Sequence, residues 1–167
     1  SSNNFVYRGS MDYLQDAKTP QESEAARNLI QRAMACKDDP LYVVAIGAIT
    51  NVASAILMEP KIIDKIVVVW LGGHAFFWPE AREFNLMQDI HASRLIFDCG
   101  VPLIHIPCAG VTTHLLTTIP ELEHYLMGKS EIGSYLTDIV RGYTEEPYGW
   151  SKVIWDVATI AWLNNPQ

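Results

Sequence analysis

Three short clusters carry residue types that chemistry uses. Glu83-Phe84-Asn85 sets a carboxylate two positions from a carboxamide. In an extended segment, residues two apart project to the same side. Glu83 and Asn85 would then face one way, with Phe84 anchoring the loop in the core. A carboxylate beside an amide accepts and donates together, which suits a clamp for vicinal hydroxyls. The plainer account is a polar loop resting on a buried Phe84. Thr50-Asn51 reads as a helix N-cap pair, and the Thr50 main-chain carbonyl is also the kind of hard oxygen that calcium takes. Trp155-Asp156 opens the last helical stretch. There Asp156 reads as a cap with Trp155 packed on a sheet, or as a metal ligand beside an aromatic platform for a base. Asp89 stands at another helix start and reads as a cap.

The elements that must position these residues alternate in type. Thr19-Pro20-Gln21-Glu22 has a capping hydroxyl, Pro at the first helical position and Glu three after the cap. Ala26, Leu29, Ile30, Ala33 and Met34 then keep helical spacing to about Cys36. Leu41 to Gly47 is a continuous apolar run rich in β-branched residues, the pattern of a strand buried on both faces. Thr50 to Leu57 reads as a short helix ended before Pro60. The cycle repeats with a strand over Lys65 to Leu71, closed by Gly72-Gly73, and a helix from about Asp89 stopped by Gly100. Val101 to Ile106 is a third strand, placed near an edge because Pro102 cannot donate a ladder hydrogen bond. Helices follow over Pro120 to Met127, Ser130 to Tyr143 and Ile154 to Leu163. Alternating strands and helices imply an α/β fold, an open, mostly parallel sheet flanked by helices. No repeat or linker divides residues 1–167, so one domain is expected. Ligands in such sheets bind beyond the carboxyl ends of the strands, where Thr50-Asn51, Gly72-Gly73 and the Glu83–Asn85 loop would meet.

Composition narrows the function. A formal net charge of −7 argues against a nucleic-acid surface, which needs clustered Lys and Arg. The longest unbroken apolar run, Leu41 to Ile49, is too short to span a bilayer as a helix, and the opening Ser-Ser-Asn-Asn has no signal-peptide pattern. Cys36, Cys99 and Cys108 form no CxxC pair, so reduced thiols in a cytoplasmic protein are expected, not a zinc site. The absence of an initiator Met points to a processed chain, a tagged chain or a fragment.

Order and spacing add what single clusters lack. Ile46-Gly47-Ala48-Ile49-Thr50-Asn51-Val52-Ala53, then Val68-Val69-Trp70-Leu71-Gly72-Gly73, then Glu83-Phe84-Asn85 with Asp89, then Trp155-Asp156, resembles the inosine–uridine nucleoside hydrolase family from about Arg8 to the end. The resemblance implies an N-ribohydrolase that cleaves the bond between ribose and base. It implies Ca²⁺ held in part by the Thr50 carbonyl and the Asp156 carboxylate, and ribose hydroxyls held by Glu83, Asn85 and Asp156. A calcium-activated water would attack the anomeric carbon, with clamped hydroxyls favouring a cationic sugar. Trp155, where many members have His, would stack a purine.

The resemblance is incomplete. Nothing before Asp12 matches the family's opening Asp-x-Asp and paired Asp, which supply most calcium ligands and the general base. No catalytic base is therefore expected within the chain, its calcium site is expected to be incomplete, and the chain alone is expected to be inactive. A missing central strand would leave apolar surface prone to association, consistent with a homo-oligomer or with completion by another chain. Phe76-Phe77-Trp78-Pro79 stands where the family often has an Asn for the far end of ribose, and Pro107-Cys108-Ala109-Gly110 where it often has an Asp. His114 reads as structural, and Tyr143 to Trp150 as a flap over the base or a packed aromatic loop. The rival reading is a non-catalytic ribose- or nucleoside-binding or assembly module. A dinucleotide-binding half is disfavoured because no GxGxxG follows a strand.

Overall fold

The structure is a computed structural model that describes residues 5–165. Its centre is a parallel three-stranded sheet in the order β1-β2-β3, with β1 at Leu41–Ala45, β2 at Ile66–Leu71 and β3 at Leu103–Ile106. The β-branched run of β2 puts it in the middle, with Val43 opposite Val68 and Val69 opposite Ile104. As Pro102 foretold, β3 lies at an edge, and the Pro102 carbonyl accepts from Val68 N at 2.9 Å.

One sheet face is covered by α1 (Glu24–Ala35), α2 (Thr50–Met58) and α4 (Ile90–Asp98). Val68 and Trp70 pack there with Ile49, Ala53, Ile56 and Ile96, all buried. On the other face Val69, Leu71 and Ile106 meet Ala158, Trp162 and Leu163 of α7 (Val157–Asn164). That cover stops short of β1. Tyr42 is 50% exposed and Val44 37%, so β1 is not the strand buried on both faces that its composition suggested. A run of apolar residues marks a strand for burial but does not supply the element that buries it.

The first helix also begins later than its apparent cap. The Asp16 carboxylate accepts from Lys18 N, Thr19 N and Thr19 Oγ1 at 2.7–2.9 Å, a local turn that occupies the Thr19 hydroxyl. Ser23 caps α1 instead, accepting from Ala26 N at 3.1 Å. Nor do Thr50 and Asn51 cap α2, whose N-cap is Ile49 with no side-chain bond. The Asn51 Oδ1 instead accepts from Ser10 N at 2.9 Å and Ser23 Oγ at 3.0 Å, pinning the N-terminal segment to the domain.

After β3 the chain passes through a 3-10 turn at Thr112–His114 and enters β4, Leu116–Thr117. Helices α5 (Ile119–Tyr125) and α6 (Glu131–Arg141) form a hairpin, and β5 at Lys152–Val153 returns antiparallel to β4. Thr118 and Glu121 close a capping box on α5. The short β4–β5 pairing, continued by Ile154 N donating to the Leu115 carbonyl at 3.1 Å, carries Trp155 and Asp156 back to the sheet. Among the described residues no helix is long and apolar enough to cross a membrane.

Candidate active site

Beyond the carboxyl ends of the strands lies a cavity of about 500 Å³, and Glu83, Asn85, Trp155 and Asp156 all line it. Trp155 in its wall is 39% exposed.

Glu83 reaches the cavity as a helix cap. It precedes α3 (Phe84–Gln88), and its carboxylate accepts from Asn85 N at 3.0 Å, Leu86 N at 3.0 Å and Gly73 N at 2.8 Å. A carboxylate has about four lone-pair positions, so one remains for a ligand. Asn85 donates Nδ2 to the Leu71 carbonyl at 2.9 Å, which leaves its Oδ1 as an acceptor for a ligand hydroxyl. Phe84 does not anchor the loop. It is 69% exposed and lines the cavity, because a helix starting at Phe84 replaces the two-residue alternation of an extended segment.

Asp156 occupies the N-cap position of α7 but makes no side-chain cap bond, so its carboxylate is free to face the cavity. Partial loss of solvent at this still exposed residue, and secondarily the Glu83 charge, raises its carboxyl above the ordinary carboxylate value. Two acidic groups facing one cavity make it a site for hydroxyl donors or a cation.

Thr50 is not part of the cavity lining. It is buried in the first turn of α2 and donates its hydroxyl to Asp89 Oδ2 at 2.6 Å. Asp89 caps α4 as expected, accepting from Ala92 N at 2.9 Å. His114 sits in the 3-10 turn, outside the cavity lining. The Tyr143 to Trp150 segment also lies outside it.

Comparison with known proteins gives the family of the chain. The model of the inosine-uridine preferring nucleoside hydrolases matches residues 6–167. The chain belongs to that family. It is 32% identical over 158 residues to the pyrimidine-specific ribonucleoside hydrolase RihA of Klebsiella pneumoniae, a match covering 89% of this chain and 50% of that protein. It is 30% identical over 155 residues to the putative pyrimidine-specific ribonucleoside hydrolase RihB of Shigella boydii, covering 88% and 63%. The chain thus spans from half to under two thirds of the length of these relatives. The crystal structure of the inosine-uridine preferring nucleoside hydrolase from Bacillus anthracis shares the fold, with a TM-score of 0.66 at 22% identity over 85% of this chain and 48% of that one.

In this nucleoside hydrolase-family chain His74, Arg82 and Cys108 also line the cavity. Burial first, and the Glu83 charge second, push the Cys108 thiol up to about 12, so it stays a neutral S–H. His74 and Cys108 directly follow Gly72-Gly73 and Ile106-Pro107, at the carboxyl ends of β2 and β3. That position is the signal that finds them.

Proposed function

We propose that this chain is the ribose- and base-binding part of an N-ribohydrolase, an enzyme that splits ribonucleosides into ribose and free base. Family membership supports the reaction class. The observation that carries the reading is the single cavity shared by Glu83, Asn85, Trp155 and Asp156. Asn85 Oδ1, the remaining Glu83 lone pair and Asp156 accept from the ribose hydroxyls. That fixes the sugar and favours positive charge developing at its anomeric carbon. The Trp155 indole lies flat against the base, with a purine offering more overlap than a pyrimidine.

The calcium implied by the family is not satisfied by these side chains. Calcium takes six to eight oxygens. Glu83 is largely committed to main-chain donors, Thr50 lies outside the lining, and the described residues hold no group of three or more His, Cys, Asp and Glu suited to a metal. These residues bind and orient the sugar, and none of them is the general base that activates water.

Titration calorimetry with inosine, uridine and their 2′-deoxy counterparts tests the reading. Ribonucleosides should bind more tightly than deoxynucleosides, and Trp155→Ala should weaken inosine more than uridine. Equal affinity for ribo- and deoxynucleosides would remove the hydroxyl clamp and the proposal with it. Addition of Ca²⁺ to the 167-residue chain should produce no release of reducing sugar.

A further inference from the structure

A histidine lining the cavity of a glycoside-cleaving fold invites the role of acid to the departing base. The hydrogen bonds of His74 give it another. Its Nδ1 accepts from Ala109 N at 3.1 Å, and its Nε2 lies 3.2 Å from the Arg82 carbonyl. A ring nitrogen that accepts from an N–H carries no proton, and one that faces a carbonyl must donate. The two contacts therefore set the tautomer, with the ring hydrogen on Nε2, and neither nitrogen is left to protonate a ligand.

The ring also joins two segments just beyond the ends of β2 and β3. Cys108 N donates to the Gly73 carbonyl at 2.9 Å and Ala75 N to the Ala109 carbonyl at 3.1 Å. Between these bonds the His74 side chain takes the Ala109 amide. On its other side it holds Arg82, the residue before Glu83. Trp78 lies against it at 6.1 Å between ring centroids. This bracket spans the loop after β2 and the turn after β3.

We propose that His74 is a positioning residue, not a catalytic one: its imidazole clamps the main chain at Arg82 and Ala109 and so holds Glu83 and Cys108 in the cavity wall. The role deepens the nucleoside reading and rests on it for its functional meaning, but its test needs no nucleoside.

Nitrogen-15 NMR of the histidines in the whole chain, with His74 assigned by its loss in a variant, should find Nδ1 bare and Nε2 protonated near neutral pH. Hydrogen exchange at the Ala109 amide should then separate three variants. His74→Asn keeps an oxygen near the Nδ1 position and should leave exchange within about twofold of the parent, whereas His74→Gln and His74→Ala should speed it about two- to tenfold, the range one lost hydrogen bond converts to. A proton on Nδ1, or exchange in His74→Asn as fast as in His74→Ala, overturns the proposal. If the tautomer and exchange pattern hold while no nucleoside binds, the clamp stands and the substrate reading falls.

Discussion

Asp89 and Thr50, 39 positions apart in the chain, meet in a buried 2.6 Å hydrogen bond. The same carboxylate accepts from Leu14 N and Ala92 N, each at 2.9 Å. One side chain thus ties the N-terminal segment, α2 and α4 together, and it is only 2% exposed.

Replacing that carboxylate leaves buried donors without acceptors. Asp89→Ala should destabilise the fold by about 3 kcal/mol, combining a lost cap with unsatisfied groups. Thr50→Val, which removes one donor and keeps the shape, should cost about 1 kcal/mol. Urea denaturation of the two variants checks the order.

The raised carboxyl of Asp156 has a pH consequence of definite sign. A group that holds its proton more tightly when folded favours the fold below its unfolded value. That contribution is lost as pH rises through the folded value. Asp156→Asn should therefore be slightly more heat-stable than the parent at neutral pH. The gap should close as pH falls below the ordinary carboxylate range. Thermal melts at the two ends of that range measure it.

The Glu83 charge is the second cause of the high Cys108 thiol value of about 12, after burial. Glu83→Gln should bring the thiol down but leave it above an ordinary cysteine, because burial remains. The pH dependence of Cys108 alkylation, followed by peptide mass spectrometry, reads the shift directly. An unchanged profile would mean that the Glu83 charge contributes nothing to it.

The uncovered part of the sheet bears on solubility. Tyr42, Val44 and Ile46 are exposed together on and just after β1, beside a strand edge with no neighbour in the described sheet. Apolar edge surface of this kind favours association of copies. Val44→Lys should shift the chain toward monomer in light scattering as concentration rises, while the parent associates.

Much of the scaffold could be read locally. The β-branched runs located β1 and β2, Pro102 assigned β3 to an edge, and Asp89 announced its helix, because each is a property of a few neighbouring residues. Local reading misled where two local solutions competed. Asp16 took the Thr19 hydroxyl before it could cap α1. Glu83 began a helix where alternation implied an extended loop, which turned Phe84 outward.

By itself the amino-acid order determined the parallel α/β pattern, the acidic and aromatic residues to watch and the family they resemble. These follow from periodicity, capping and motif order along the chain. Tertiary structure alone decided that β1 keeps an open face and that His74 is held through both ring nitrogens. It alone drew Trp155 and Asp156 to Glu83 through the β4–β5 return. Such contacts depend on where distant segments come to rest, and a side chain's partners there are main-chain groups whose positions no local pattern records.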